Sequence, residues 1–171
     1  MLDQLIKLVE QNAGDAIVKN DAIPNQFNNA AIQDVAHQIE SGLKGQASQG
    51  NLQQVASLFQ TGNMSSLASN PMVSQIVSSI AGNLASKFGV SPQVAQTIAA
   101  GLVPQVMNQF IKKTNDPNDN DFDLGSMLKG FTGNSGLNVG DILGKVTGGG
   151  APHSGGGLGQ AGDILGKIFG N

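Results

Sequence analysis

The chain of 171 residues has no cysteine, tryptophan or tyrosine, and no arginine occurs anywhere in it. Without cysteine there can be no disulfide, no thiolate nucleophile and no thiolate metal ligand, a composition that fits a reducing compartment. Aromatic residues make up only 4%, so any core must be aliphatic, built from Leu, Ile, Val, Ala and Met with a few Phe. Charged residues reach 12%, about half the share usual in soluble proteins, and Gln, Asn and Ser do the solubilising instead. The formal net charge is −3, whereas nucleic acid binding rests on Lys and Arg neutralising phosphates, so nucleic acid is a disfavoured partner. Long apolar runs are missing too. The charge-free stretches 45–86 and 88–111 are threaded with Gln, Asn and Ser, which a spanning helix of about 20 mostly apolar residues tolerates poorly. No transmembrane segment is therefore expected. The opening MLDQLIKLVEQ lacks the basic start and unbroken apolar run of a signal peptide, and a cytoplasmic location is expected.

What is present is helical periodicity. Leu2, Leu5, Ile6, Val9, Ala13, Ala16 and Ile17 recur at helical spacing, predicting an amphipathic helix over 2–19, weakened at Gly14. NDAIPNQFNN interrupts it. Ile32, Val35, Ala36, Ile39 and Leu43 define a second helix, with Asn28 or Asn29 as its cap. A shorter third follows from Asn51, with Leu52, Val55 and Phe59 inward. Two more begin with a cap residue followed by proline, Asn70-Pro71 and Ser91-Pro92. The first of these buries Val73, Ile76, Val77, Ile80 and Leu84 and stops at Phe88-Gly89, where glycine suits a left-handed helix end. The second turns Val94, Ala95, Ile98, Leu102, Val106 and Phe110 inward as far as Ile111, with a kink expected at Pro104. No segment alternates apolar and polar residues as a strand would.

The fold class is thus all-α: a compact multi-helix bundle of about five main helices over 1–114, followed by short helices in a glycine-rich tail. An acidic connector and a short helix, on or near the core, occupy 115–134. From 135 to 171 short apolar pieces alternate with glycine spacers, and GGGAPHSGGG has the makings of a flexible linker.

GDILGK occurs twice in that tail, at 140–145 and 162–167. A phosphate-binding loop needs GxxxxGK followed by Ser or Thr; here the first glycine is one residue too close, Val146 or Ile168 follows the lysine, and no strand precedes either copy. Nucleotide binding is therefore disfavoured. The copies instead space Gly140, Gly144 and Gly148, and Gly162, Gly166 and Gly170, four residues apart. On a helix such glycines line one face and admit close backbone approach, while Ile142, Leu143 and Val146, or Ile164, Leu165, Ile168 and Phe169, supply apolar surface. Each piece is about nine residues, too short to be a stable helix alone in water, so it needs something to dock on. The plainest dock is the chain's own helical core. Another is a second copy or a protein partner, because tethered repeated anchors suit multivalent contact. A third is a membrane surface, contacted peripherally, although only Lys145 and Lys167 stand against Asp141 and Asp163.

The segment AGNLASKFGVSPQVAQTIAA, 81–100, has the grammar of a helix-turn-helix, and Gln93, Gln96 and Thr97 would lie on the outward side of its reader helix. Almost no positive charge accompanies it, so two packed core helices are the simpler reading. LASKFGVSPQVAQTIAAGLVPQVMNQF, with Gly89, Ala95, Leu102 and Pro104, resembles the YidB-like bacterial domain of unknown function. DPNDNDFDLGSMLKGF is similar to that family's continuation, and AGDAIVKNDAIPNQFNNAAI to the start of its longer members. The resemblance covers most of 1–134. It implies a small all-α fold and supplies no catalytic residue.

Chemistry-bearing groups are sparse. Asp119, Asp121 and Asp123 alternate as calcium-loop ligands would, but Leu124 and Gly130 stand where an EF-hand needs Gly and Glu, and Asp123 reads as a helix cap. His37 and His153 have no second ligand at suitable spacing. Asp34 and Glu40 lie six residues apart on the second helix, on different faces. No serine sits in a GxSxG elbow. Neither an enzyme nor a cofactor is expected, and the function anticipated is a structural or interaction module acting through the tail. The alternatives are a nucleic-acid binder through 81–100 and a peripheral membrane binder through the tail.

Overall fold

Why each helix starts and stops where it does is set by a few polar and glycine positions. A computed structural model describes residues 1–116, apart from Gly62 and the side chain of Thr61. Among them are six α-helices and no strand. These are α1 (Leu2–Asn12), α2 (Asn28–Gln46), α3 (Leu52–Thr61), α4 (Met64–Ala68), α5 (Pro71–Phe88) and α6 (Pro92–Thr114). Five are the expected main helices; α4 is an addition. The connector beyond Asp116 and the tail helices lie outside the described residues.

The strongest local signals lie at α5 and α6. Asn70 sits in extended conformation before Pro71, and its Oδ1 accepts from the Met72 N–H at 2.9 Å. Ser91 does the same before Pro92, its Oγ accepting from Val94 N–H at 3.4 Å. Each side chain satisfies a backbone donor that the first helical turn leaves without a partner. Gly89 ends α5 at φ 69°, a left-handed conformation that costs glycine nothing.

Three expectations need correction. The first helix ends at Asn12, and Gly14–Val18 form a wider turn in which Val18 and Lys19 N–H groups bond the carbonyls of Ala13 and Gly14, five residues back. The cap of α2 is neither Asn28 nor Asn29. A 3₁₀ turn over Asn25–Phe27 runs straight into the helix, Asn28 N–H already bonds Asn25 O, and Phe27 occupies the cap position with no side-chain bond. Asn28 instead turns its Nδ2 toward Asn25 Oδ1 at 3.2 Å and Val18 O at 3.5 Å. Lastly, α6 runs on past Ile111 to Thr114, with Pro104 inside it.

The core is one aliphatic cluster with α6 at its middle. α6 packs against α5, α1 and α4 and buries Ala95, Ile98, Ala99, Leu102, Val103, Val106, Met107, Phe110 and Ile111, a stripe wider than a helix with a single packed face requires. Leu5, Leu8 and Val9 of α1 and Val35, Ile39 and Leu43 of α2 belong to the same cluster, with α2 packed on α1 and α5. Phe59 and Phe110 meet edge to face at 5.5 Å between centroids, a favoured aromatic geometry. Polar latches tie the ends. Asn12 and Gln109 exchange two amide hydrogen bonds, at 3.0 and 3.1 Å, joining α1 to α6, and Asn115 Nδ2 donates to Phe59 O at 2.7 Å.

Candidate functional site

The tail residues named above, Gly140 to Phe169, lie outside the described residues, as do His153 and the Asp119–Asp123 stretch. The helical core holds the remaining candidates. Gln93, Gln96 and Thr97 are all exposed on the first turns of α6. Thr97 Oγ1 donates to Gln93 O at 2.9 Å, tying its hydroxyl to its own helix. The nearest cation in sequence, Lys87, is engaged elsewhere: its Nζ pairs with Asp34 Oδ1 across α5 and α2. That pair takes up the one charge found between residues 45 and 111, so phosphate contacts there would have to be made by neutral groups.

The two carboxylates of α2 are separated as their spacing predicts. Asp34 meets Lys87, while Glu40 pairs with Lys44 of its own helix at 2.9 Å. His37 is exposed and shares a 3.3 Å hydrogen bond with Ser41 Oγ. Among the described residues no group of three His, Asp or Glu side chains converges as metal ligands would, and no helix is long and apolar enough to cross a membrane.

One concavity has a defined construction. α2 and α5 approach each other at Gly42, where an added Cβ would lie 2.6 Å from Ile76 Cγ1. Alongside this contact the helices leave a groove of about 190 Å³, lined by Gln38, Ser41, Gly42, Gly45, Gln46, Gln49, Gln75, Ile76 and Ser79. Around Ile76 and the two glycines its walls are carboxamides and hydroxyls, without a charge among them. Asn51 Nδ2 donates to Gln46 Oε1 at 2.8 Å, and Gln46 Nε2 donates across to Gln75 Oε1 at 3.0 Å. Those two bonds hold the central amides in a fixed order. At Gly45 an added Cβ would meet nothing within 4 Å, so its missing side chain leaves open space rather than admitting a neighbour.

These groove residues escaped sequence reading because Gln and Ser on a helix look like ordinary solvated positions. The available signal was the pair Gly42 and Gly45 inside a helix, where glycine costs roughly 1 kcal/mol relative to alanine. No protein-family model, curated protein or solved structure matches the chain.

Proposed function

We propose that the chain is a non-enzymatic structural module that self-assembles or docks a protein partner through its C-terminal glycine-spaced segments. The observation that carries this reading is the duplication of GDILGK, each copy with glycines four residues apart and apolar residues between them. Gly140, Gly144, Gly162 and Gly166 supply the close-approach positions, and Ile142, Leu143, Val146, Ile164, Leu165, Ile168 and Phe169 the apolar anchors. Two such anchors on one chain turn weak single contacts into a stronger joint one. The helical core then serves as the carrier. A YidB-like identity for that core accords with this role, since the resemblance brings no catalytic residues with it.

The test is molar mass by light scattering coupled to size exclusion, on the full chain and on a chain ending at Asn134. The expected outcome is an oligomer, or a partner-bound species in extract, that reverts to monomer when residues 135–171 are removed. Identical mass and identical partners for the two chains would overturn the reading.

A further inference from the structure

We infer that Gly50 is a hinge at which α2 and α3 straighten into one helix, and that two copies of the chain exchange their α1–α2 pairs through it. The junction between these helices is unlike the one between α5 and α6. There the left-handed Gly89 is followed by Ser91, extended at ψ 145°, and by Pro92, so the chain stops one helix and caps the next. Between α2 and α3, Gln46, Ala47 and Leu52 are all helical, with φ of −64°, −59° and −56°, and within the wide turn Ala47–Asn51 only Gly50 leaves the helical region, at φ 88° and ψ 2°. No proline occurs between Asn28 and Thr61. Rotation at one residue therefore separates the bent form from a single helix over 28–61, ~50 Å long.

The packing that the bend closes joins residues before Gly50 to residues after it. α2 lies on α5 and α1 on α6, with the Asp34–Lys87 pair and the Asn12–Gln109 amide pair across them. A second copy reproduces all of these contacts when the α1–α2 pair of one chain sits on α5 and α6 of the other. The Phe59–Phe110 contact and the Asn115 bond to Phe59 O lie wholly after the hinge and stay within one chain. Only the hinge differs between the two forms, which is why exchange of identical elements is a low-cost route to a dimer. Glycine sets the balance. It takes a left-handed conformation without cost and is a poor residue inside a helix, so Gly50 favours the bent form. An added Cβ there would meet nothing within 4 Å, so substitution acts through backbone conformation alone. Alanine reverses both preferences, by roughly 30-fold or more in each chain and, with two hinges per dimer, on the order of 10³-fold in dimerisation.

Asp34 and Lys87 stand on opposite sides of the hinge and in direct contact. A carbodiimide joins their side chains as an amide within one chain in the bent form, and between chains in the exchanged form. Unlabelled and isotope-labelled full-length chains are unfolded together, refolded at high concentration and cross-linked, and mass spectrometry reads the isotopes on each side of the Asp34–Lys87 link. Chains mixed only after refolding give the background. Hybrid links above that background are expected in wild type, rising in Gly50→Ala to near half of all links, the statistical limit for full exchange. Gly50→Asn, which tolerates a left-handed backbone and is a weak helix former, should stay near wild type. Same-isotope links alone in folded Gly50→Ala would overturn the proposal; if that variant does not fold, the same result in wild type overturns it. Assembly through the tail brings copies together without moving α2 of one onto α5 of another, and leaves every link within one isotope, so either reading can fail without the other.

Discussion

Gly42 and Gly45 stand three residues apart on one helix, yet substitution should act on them with opposite sign. At Gly42 the new Cβ would lie 2.6 Å from Ile76 Cγ1 and 3.0 Å from its Cδ1. Cγ1 lies near the root of a β-branched side chain with few alternative rotamers, so Ile76 cannot simply swing aside. Overpacking of this kind costs ~1–3 kcal/mol, against a helix-propensity gain of up to ~1 kcal/mol. Gly42→Ala should therefore lose ~1 kcal/mol. Gly45→Ala meets nothing within 4 Å and keeps the propensity gain alone, for a rise of ~0.5–1 kcal/mol. Urea denaturation of the two variants checks the pair. A stabilised Gly42→Ala would show that α2 and α5 do not approach as closely as described. A destabilised Gly45→Ala would show that its space is occupied within the folded chain.

At the scale of the element, α6 poses the sharpest conflict between local preference and packing, since Pro104 sits inside it and is buried. Proline deprives Ala100 O of its helical donor, but Ala100 is on the exposed side, where water can replace it. Pro104→Ala should recover most of ~3 kcal/mol of helix propensity and lose about two buried carbons at ~0.8 kcal/mol each. The net expectation is a gain of ~1 kcal/mol, seen as a thermal midpoint higher by ~2–8 °C; a lower midpoint would mean that the proline ring fills its site better than this sum allows. Helices α5 and α6 were legible because their signals are local: Asn70-Pro71, Ser91-Pro92 and Gly89 each specify a backbone conformation within two or three residues. The cap of α2 was not, because the turn over Asn25–Phe27 runs straight into the helix and holds Asn28 in helical conformation, φ −54° and ψ −49°, where it can no longer act as a cap. Helix α4 was missed for a related reason. With five residues, capped by Asn63 Oδ1 on Ser65 N–H at 3.1 Å and burying only Leu67, it has no room to display a period. Beyond the two glycines inside α2, the groove left no mark on the sequence, since it exists only once α2 and α5 meet at Gly42.

For the whole molecule, the distribution of charge and the duplicated tail bear on association together. Residues 45–111 carry a single charge, Lys87, already matched to Asp34, so copies meeting through this part of the chain feel little like-charge repulsion, and little attraction that salt could screen. In the proposed assembly, association should instead depend on apolar contact by the two anchors, and duplication makes that dependence non-additive. When a second anchor binds after the first, its contribution is that of an intramolecular event, and losing either one weakens the joint contact by ~10²–10⁴-fold. Replacing Ile142 and Leu143 by Ser, or Ile164 and Leu165 by Ser, should each shift the concentration for half-assembly upward by a factor in that range. The two variants should resemble each other, and the fourfold variant should remain monomeric at every concentration tested. Sedimentation across a dilution series, repeated at low and high salt, measures all of this at once. If one copy can be replaced without effect, the repeats do not act jointly. If salt alone dissolves the assembly, charge rather than the apolar anchors holds it, and Asp141, Lys145, Asp163 and Lys167 become the residues to change.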